Sequence, residues 1–311
     1  MTEIAALVLA HADPVHLKRL IAAIDDVPVF LHCDARTSRD VAGDMTRGLP
    51  TRVTVCDRIA TRRASWSLVE AELAGLRRLI KASTARHIAV LSGMDYPLVS
   101  MQEIVDELGR WDGQSYFRNV RIPFPQWSTK AHPDGGLWRL RHRFVTVKGQ
   151  VVYWRGIPLR WPRRRDIPPE LEPRASSQWK IYARDHVRML LDIVEARPDL
   201  VRFWRSTLVP DESFAASMLG SRVLFGSHAM PPCLAHPWFM SWPPAGSHPR
   251  WLESADFEDL SDARWARPVD PVTVLGGTGT YTLSHRRLFA RKFSTDVDTG
   301  ILDRIDDELR R

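Results

Sequence analysis

The fold is decided by the stretch Ile4-Ala5-Ala6-Leu7-Val8-Leu9-Ala10-His11-Ala12-Asp13, an apolar run that ends on polar residues. Apolar side chains occupy both faces of the run, which is typical of a strand inside a parallel sheet. Glu3 stands before the run and Asp13 soon after it, whereas a signal peptide would need a basic leader and a longer apolar stretch. We therefore predict a buried β-strand over residues 5–10.

Further strands and helices alternate along the first third of the chain. Periodicity predicts strands over 29–32, 52–55 and 87–91, and helices over 14–24, 68–81 and 101–108. Short apolar strands separated by helices indicate an α/β fold with an open, mostly parallel sheet flanked by helices. Ligands of such sheets bind at the carboxyl ends of the strands. The polar residues that follow the predicted strands are therefore the first candidate site residues: His11, Asp34, Arg58 and Asp95.

Length and composition limit the class of protein. The chain has 311 residues, of which 44% are hydrophobic, so it can bury a sizeable core and is unlike a coiled coil, a collagen or a disordered chain. Its three cysteines lack the C-x-x-C spacing of a disulfide framework or a zinc site, so we expect reduced thiols and a cytoplasmic location. No stretch approaches the about 20 apolar residues that cross a bilayer, so we expect no membrane span.

The middle of the chain, residues 111–172, changes to a composition rich in Pro, Trp and Arg. Two interpretations stay open: a nucleic-acid surface, with cations on phosphates and aromatic rings on bases, or a solvated loop and hairpin whose Trp residues cover the core. The second is favoured. We divide a single domain accordingly into a nucleotide-binding half over 1–110, an insertion over 111–175 that shapes a substrate pocket, and an acceptor and catalytic half over 176–311.

The last part is predicted to be helical over 177–194 and again over 213–219, after Pro210-Asp211-Glu212. Taken alone, this tripeptide is an ordinary helix start, because Pro and Asp suit the first positions and Glu suits the helix dipole. Asp296-Val297-Asp298 has the Asp-x-Asp spacing of a metal site, but it lies near a C-terminal helix rather than after a strand of the nucleotide-binding half. We interpret it as an acidic helix start.

Six segments, spread from the first strand to residue 293, carry a family signature when they are taken in order. They are Leu7-Val8-Leu9-Ala10-His11, Phe30-Leu31-His32-Cys33-Asp34, Ala64-Ser65-Trp66-Ser67, Leu91-Ser92-Gly93-Met94-Asp95-Tyr96-Pro97-Leu98, Pro210-Asp211-Glu212 and Phe289-Ala290-Arg291-Lys292-Phe293. The chain in this respect resembles the Core-2/I-branching β-1,6-N-acetylglucosaminyltransferase family, which also includes peptide xylosyltransferases. The middle insertion matches the family poorly.

The resemblance implies a GT-A-type glycosyltransferase that moves a sugar of the GlcNAc or xylose class, with inversion, from a UDP-sugar to a hydroxyl of a carbohydrate or another acceptor. An inverting displacement needs one general base, and Glu212 matches the family's base in Pro-Asp-Glu. The departing diphosphate needs positive charge, which this family draws from basic side chains in place of a metal ion. Lys292 matches the family's Lys in Phe-Ala-x-Lys-Phe, and Arg250 matches an upstream Arg, with Arg267 as its substitute. We expect no metal and no other cofactor.

The resemblance also implies where the substrates lie. It places nucleotide contacts in the segments of His11, Asp34 and Arg58, to which Asp95 is added as the residue after the fourth strand. Trp242 matches a family aromatic that stacks on the acceptor sugar, since an indole suits the apolar face of a sugar. Asp211 is the second expected acceptor contact.

Two alternatives stay open. The first is the same chemistry on an anionic polymer, such as modified DNA, which the basic middle of the chain would favour. The second is a non-catalytic basic binding module in which the sheet is only a scaffold. Stabilisation by UDP in EDTA distinguishes the enzyme from the module, whose binding would instead fall steeply with salt.

Overall fold

The computed structural model describes residues 3–111, 113–243, 248–265 and 286–311, together with the backbone of two short strands at 274–276 and 279–281. Its first part alternates strands and helices as predicted, and each predicted element is found with ends displaced by at most two residues. A second helix, which was not predicted, follows the second strand. These elements are β1 (Ile4–Ala10), α1 (Pro14–Ala23), β2 (Val29–Cys33), α2 (Arg39–Thr46), β3 (Val53–Val55), α3 (Trp66–Ala82) and β4 (His87–Ser92).

The first four strands form one parallel sheet in the order β4-β1-β2-β3. Three of them, β1, β2 and β4, are buried along their whole length, which explains why their sequences are apolar without alternation. Helix α3 packs on β1 so closely that a Cβ on Gly75 would lie 2.4 Å from Leu7 Cδ1. The α/β class and the open, mostly parallel sheet flanked by helices are confirmed.

Two further elements complete the first half, namely β5 (Asp95–Pro97) and α4 (Met101–Arg110). Helix α4 begins with a reciprocal capping box, because Ser100 Oγ accepts from the Glu103 amide at 3.2 Å and Glu103 Oε2 accepts from the Ser100 amide at 3.0 Å. Strand β5 is only three residues long and was not predicted. Its partner is a strand near the C-terminus, so local periodicity carries little information about it.

The middle of the chain consists of short antiparallel pairs rather than one regular sheet. Three segments are joined by a cycle of backbone hydrogen bonds, in which Val145 donates to Leu159, Leu159 to Val152 and Val152 to Val145, each at 2.9 Å. Trp111 is fully buried, whereas Trp154 and Trp161 are exposed, so only some of the Trp residues cover the core. The elements are β6 (Val120–Arg121), a 3-10 turn (Pro125–Trp127), α5 (Leu137–Arg141), β7 (His142–Phe144), β8 (Thr146–Val147), β9 (Gln150–Val151), β10 (Tyr153–Trp154), β11 (Ile157–Pro158), β12 (Arg160–Arg164) and β13 (Arg174–Ala175).

The helix predicted over 177–194 is wrong in its first part. Residues Lys180–Ala183 form β14, which pairs antiparallel with β4 and completes a five-stranded sheet, and the helix begins only at Arg184. The backbone groups at the edge of β4 need hydrogen-bond partners, which β14 supplies. The charge of Lys180 can be buried in β14 because its Nζ pairs with Glu72 at 3.2 Å. An apolar pattern could not reveal a strand that begins with a buried lysine.

The remaining elements follow in chain order. They are β14 (Lys180–Ala183), α6 (Arg184–Ala196), α7 (Pro198–Arg205), a 3-10 turn (Pro210–Glu212), α8 (Phe214–Gly220), α9 (Arg222–Phe225), a 3-10 turn (Gly226–His228), β15 (Trp238–Met240), a 3-10 turn (Ser254–Asp256), α10 (Phe257–Ala263), β16 (Val274–Gly276), β17 (Gly279–Tyr281), β18 (Phe289–Arg291), α11 (Gly300–Arg304) and a π-helical turn (Ile305–Leu309). No helix in the described part of the chain has the length and apolar character needed to cross a membrane.

A second, three-stranded sheet brings the C-terminal part of the chain to the first half. Strand β18 pairs parallel with β15 and antiparallel with β5, and Arg291 stands opposite Asp95 in the register. Because β5 follows directly after the carboxyl end of β4, this pairing carries residues 291 and 292 to the edge of the main sheet where ligands are expected.

Candidate functional site

The predicted nucleotide residues at the ends of β2 and β3 are used to hold the loops there. Asp34 Oδ1 accepts from the amides of Arg36 at 2.7 Å and Thr61 at 3.2 Å, and its other oxygen accepts from the Thr61 hydroxyl. Arg58 donates to the carbonyl oxygens of Asp34 at 2.8 Å and Thr37 at 2.6 Å. The structure therefore brings Asp34 and Arg58 together, as predicted, but gives both a direct role in shaping the strand ends.

His11 lies between these loops and the C-terminal segment. Its side chain is exposed in part, yet neighbouring protein atoms still lower its pKa; Asp34 opposes this effect and Arg291 adds to it. The Thr37 hydroxyl donates to the His11 carbonyl at 2.8 Å, which fixes the backbone at the end of β1. A neutral imidazole that can donate or accept a hydrogen bond is thus placed at the carboxyl end of the central strand.

Asp95 does not face solvent. It is fully buried, and it accepts from the Ser92 amide at 2.9 Å, from Trp238 Nε1 at 2.9 Å and from Arg291 Nη1 at 2.8 Å. Burial raises the pKa of Asp95, while the Arg291 guanidinium opposes that increase. Direct contact of Asp95 with a nucleotide is not supported, because its oxygens are occupied in holding Arg291.

Arg291 was missed as a site residue, although it stands beside Lys292 in the quoted C-terminal segment. Its guanidinium lies 4.3 Å from the centroid of the Trp179 ring and is oriented by the buried Asp95. Lys292 Nζ lies 4.1 Å from the centroid of the Trp251 ring. Burial lowers the pKa of Lys292, and the charge of Arg291 lowers it further, so two cations are held close together here.

Two more basic side chains join this pair. Arg63 Nη1 contacts His248 Nε2, and the pKa of His248 is lowered by burial and then by the charges of Arg63, Lys292 and Arg291. We call Arg63, His248, Arg291 and Lys292 the cationic cluster. Its members come from three distant parts of the sequence, so the residues next to Arg63 and His248 in the chain did not indicate a site. The charged members Arg63, Arg291 and Lys292 together attract a polyanion, and the lowered pKa of His248 leaves its imidazole as a neutral hydrogen-bonding group among them.

Arg250 is close to the cationic cluster in the chain but is already paired. Its guanidinium makes a two-pronged ion pair with Asp256, with one distance of 2.7 Å, and its Nε donates to Ser241 Oγ at 2.8 Å. The Leu252 amide donates to the Lys292 carbonyl at 2.9 Å, so the two segments run side by side. Direct binding of a diphosphate by Arg250 would require it to leave Asp256. Arg267, its predicted substitute, lies outside the described residues.

Glu212 lies at the end of the 3-10 turn Pro210–Glu212, which follows the left-handed residue Val209. One carboxylate oxygen is 3.1 Å from Arg139 Nη1, and the Glu212 side chain keeps 34% of its exposure. The Arg139 guanidinium itself stacks on Trp127, 4.2 Å from the ring centroid. Glu212 is therefore an oriented carboxylate that still reaches the surface, as a general base must.

Two backbone links join the Glu212 turn to the cationic cluster. The Val209 amide donates to the carbonyl oxygen of Ala64, which directly follows Arg63, at 3.0 Å. The Ser176 amide donates to the Glu212 carbonyl at 2.8 Å, and Trp179, three residues later, stacks on Arg291. Because a four-residue segment spans at most about 11 Å between its end Cα atoms, the carboxylate and the cations belong to one region.

Asp211 lies behind Glu212, in the interior. Among the described residues its Oδ1 atom is buried without a hydrogen-bond partner. Burial raises the pKa of Asp211 to about 7, the charge of Glu212 contributes to the increase, and Lys180 opposes it. Contact with an acceptor is not supported for Asp211, since the residue is only 7% exposed.

Trp242 and the Asp-x-Asp segment are the remaining candidates. Trp242 follows β15 and its side chain is 53% exposed, which leaves its ring able to contact a ligand. Asp298 accepts from the Ser254 amide at 2.7 Å and from the Ile301 amide at 3.2 Å at the beginning of α11, so it acts as the helix-start acid that was predicted. Within the described ranges no group of three or more His, Cys, Asp or Glu residues is arranged to hold a metal ion.

Comparison with known proteins gives a match over most of the chain. The sequence model of the Core-2/I-branching enzyme family matches residues 9–264. Human β-1,3-galactosyl-O-glycosyl-glycoprotein β-1,6-N-acetylglucosaminyltransferase is 27% identical over 256 residues, which cover 79% of this chain and 54% of that protein. The chain thus spans about half the length of this relative.

Two solved structures give weak matches. Mouse xyloside xylosyltransferase 1, in its apo form, is 11% identical with a TM-score of 0.38 and covers 77% of this chain and 88% of its own. HddC from Yersinia pseudotuberculosis is 8% identical with a TM-score of 0.28 and covers 59% of this chain and 78% of its own. Both scores are low, so the family assignment rests on the sequence match.

Proposed function

Because the chain belongs to the Core-2/I-branching enzyme family of glycosyltransferases, we propose that it transfers a sugar of the GlcNAc or xylose class from a UDP-sugar to an acceptor hydroxyl, with inversion and without a metal ion. The resemblance seen in the sequence is confirmed by the family match. Donor, stereochemistry and metal independence belong to the proposal. One observation supports it above the others: the cationic cluster lies in the same region as the partly exposed carboxylate of Glu212.

The cationic cluster suits a departing diphosphate. In this proposal Lys292, Arg291 and Arg63 face the negative charge that grows as the bond between the anomeric carbon and the diphosphate oxygen breaks. Burial and then the charge of Arg291 lower the pKa of Lys292 in the free protein, and an anion that binds among these cations relieves their repulsion. Arg291 is the most firmly placed, since the buried Asp95 and Trp179 hold its guanidinium.

Glu212 is the proposed base. It accepts the proton of the acceptor hydroxyl while that oxygen forms a bond to the anomeric carbon on the face opposite the leaving diphosphate, so a single displacement inverts the configuration. Arg139 orients the carboxylate and would give way as the acceptor hydroxyl enters. His11, with Asp34 and Arg58 behind it, is proposed to meet the nucleoside, and Trp242 a sugar face of a carbohydrate or glycoconjugate acceptor.

The test combines nucleotide binding with turnover. UDP in EDTA is expected to raise the Tm of the wild-type chain, and Lys292→Ala is expected to remove most of that shift. Glu212→Gln should keep the shift and lower turnover of a UDP-sugar by at least ~100-fold, because it keeps the shape of the side chain and loses the base. The exposed Lys18→Ala and Glu258→Gln serve as matched controls.

Three results would contradict the proposal. Restoration of UDP binding by manganese after EDTA treatment would assign the diphosphate to a metal ion. Unchanged turnover of Glu212→Gln would remove Glu212 as the base. Absence of any UDP effect, together with salt-sensitive binding of a polyanion, would favour the non-catalytic basic module.

A further inference from the structure

A continuous stretch of the middle region carries positive charge and no negative charge. Residues 142–164, which we call the Arg/Trp hairpins, contain five arginines and one lysine and neither aspartate nor glutamate. All five residues of β12, Arg160–Arg164, are exposed. A surface this basic favours an anionic partner.

The Arg/Trp hairpins also expose large apolar side chains. At the tip of one hairpin Trp154 and Ile157 stand opposite each other across the strands, and they are 60% and 63% exposed. Val147, Leu159 and Trp161 are 60%, 38% and 57% exposed. Several apolar side chains exposed within so short a segment mark a contact surface, since a solvated loop would place polar residues there.

Hydrogen bonds and a small core hold the backbone of this surface in place. The cycle of hydrogen bonds among Val145, Val152 and Leu159 ties three segments together. The turn at the tip uses Arg155 and Gly156, both with positive φ, which is the geometry of a tight two-residue hairpin. On the inner side Phe144 and Val151 are fully buried in a small core. The exposed apolar residues are therefore displayed by a packed structure.

The residue types distinguish between anionic partners. Nucleic acids are bound by cations and by aromatic rings that stack on bases, and exposed Val147, Ile157 and Leu159 have no role in such contacts. An anionic lipid surface uses all three kinds of residue: tryptophan at the level of the head groups, aliphatic side chains among the upper acyl carbons, and arginine on the lipid phosphates. We propose that the Arg/Trp hairpins dock this protein on the surface of a bilayer that contains anionic lipids, with Trp154 and Ile157 inserted at the interface.

The docking surface is connected to the candidate site. Ser65 Oγ accepts from the Val151 amide at 2.9 Å, and the Arg62 guanidinium lies 5.4 Å from the centroid of the Tyr153 ring, next to Trp154. A bilayer that holds the hairpin tip is thus on the side of the molecule that carries residues 62–65. The docking itself does not depend on the proposed transferase activity, and its test needs no sugar substrate.

The test is co-sedimentation of the full chain with vesicles at about 0.1 M salt. We expect binding to phosphatidylcholine vesicles that contain about 30% phosphatidylglycerol, little binding to phosphatidylcholine alone, and release of the protein at high salt. The triple change Arg160→Gln, Arg163→Gln and Arg164→Gln should lower the partition coefficient at least ~10-fold. The double change Trp154→Ser and Ile157→Ser should lower it by a similar factor through lost insertion.

Matched control variants distinguish binding by this surface from non-specific binding by other exposed apolar or basic residues. Trp265 and Val223 are 58% and 69% exposed outside the Arg/Trp hairpins. Trp265 lies under the guanidinium of Arg264, 4.5 Å from the ring centroid, as Trp154 lies under that of Arg155 at 4.9 Å. Trp265→Ser with Val223→Ser should bind vesicles like the wild type. The same is expected when three exposed arginines elsewhere are changed to Gln: Arg39, Arg78 and Arg202.

Three outcomes would overturn the docking proposal. One is failure of the wild-type chain to bind the anionic vesicles. Another is equal loss of binding in the hairpin variants and in their controls, which would mean that net charge alone is measured. The third is tighter binding of a fluorescent oligothymidine that displaces the vesicles, which would assign the surface to single-stranded nucleic acid. Circular dichroism of each variant shows whether a loss reflects unfolding.

Discussion

Asp211 and Glu212 are adjacent in sequence, but one is buried and the other is partly exposed. Glu212 keeps a third of its side-chain exposure and meets Arg139, whereas Asp211 is buried with one oxygen unpaired among the described residues. Burial, together with the charge of Glu212, raises the pKa of Asp211. Only the exposed member of the pair is suited to take a proton from a substrate.

We predict that Asp211→Asn removes a pH-dependent loss of stability. Burial raises the pKa of Asp211 from 3.8 to about 7, so folding favours the protonated form. The resulting stabilisation is complete below pH 4, and it is lost as the pH rises toward 7 and the buried carboxyl ionises. Relative to the variant, the wild type should lose up to about 1.4 kcal/mol for each pH unit in this range, measured by urea unfolding.

The exposed Asp259 provides the control, since Asp259→Asn makes the same chemical change outside the interior. A free-energy difference between Asp211→Asn and the wild type that is equal at pH 4 and pH 7 would show that Asp211 is not held protonated.

At the scale of elements, helix α8 is fitted to the strand β13 around a buried arginine. Arg174 donates to Gly220 O at 2.6 Å, to Met230 O at 2.9 Å and to Asn119 Oδ1 at 3.1 Å. A Cβ on Gly220 would lie 2.2 Å from Arg174 Nε. The contact between this helix and the middle insertion therefore needs a glycine at position 220, because three hydrogen bonds hold the Arg174 guanidinium where a Cβ would lie.

Gly220→Ala is accordingly expected to lower the free energy of unfolding by about 1–3 kcal/mol, the usual cost of overpacking, even though alanine is the better helix former. Gly109→Ala in α4 is the matched control, since nothing lies within 4 Å of the Cβ it would add. That change should raise stability by up to about 1 kcal/mol. Thermal unfolding should show a lower Tm for Gly220→Ala and an equal or higher Tm for Gly109→Ala. Stabilisation by Gly220→Ala would contradict this account of the packing.

At the scale of the whole molecule, the two ends of the chain are locked together. Asp306 accepts from Arg19 Nη2 at 2.7 Å, from the Tyr96 hydroxyl at 2.8 Å, and from Arg310. Asp13 accepts from the Thr295 amide at 2.8 Å in the same manner. These links hold the C-terminal segment against the first half, and Lys292 lies three residues before the first of them, Thr295.

Asp306→Ala is predicted to lower the free energy of unfolding by about 1–3 kcal/mol, because it leaves partly buried donors without their acceptor. The adjacent Asp307→Ala should change stability by less than about 0.5 kcal/mol, since Asp307 is exposed and pairs with an exposed Arg311. Urea unfolding measures both. An equal effect of the two changes would mean that Asp306 is an ordinary surface carboxylate.

The fold was largely predictable where burial is governed by nearby residues. Strands β1, β2 and β4 and helix α3 were found because an apolar run or a helical period is a local property. Strands β5 and β14 were not, since one depends on pairing with β18 and the other begins with a lysine that is buried only because Glu72 faces it. Both errors come from partners that are distant in sequence.

The sequence by itself determined the alternation of β1 to β4 with α1, α3 and α4 in the first third of the chain and, through short motifs, the prominence of Glu212 and Lys292. Only the tertiary structure decided that Arg63, His248 and Arg291 surround Lys292, that Asp95 holds Arg291 from behind, and that Asp211 is buried. The physical reason is the distance along the chain over which each effect acts. Hydrophobic period acts between residues a few positions apart, whereas charges and burial act through space and depend on which distant segments the fold brings together.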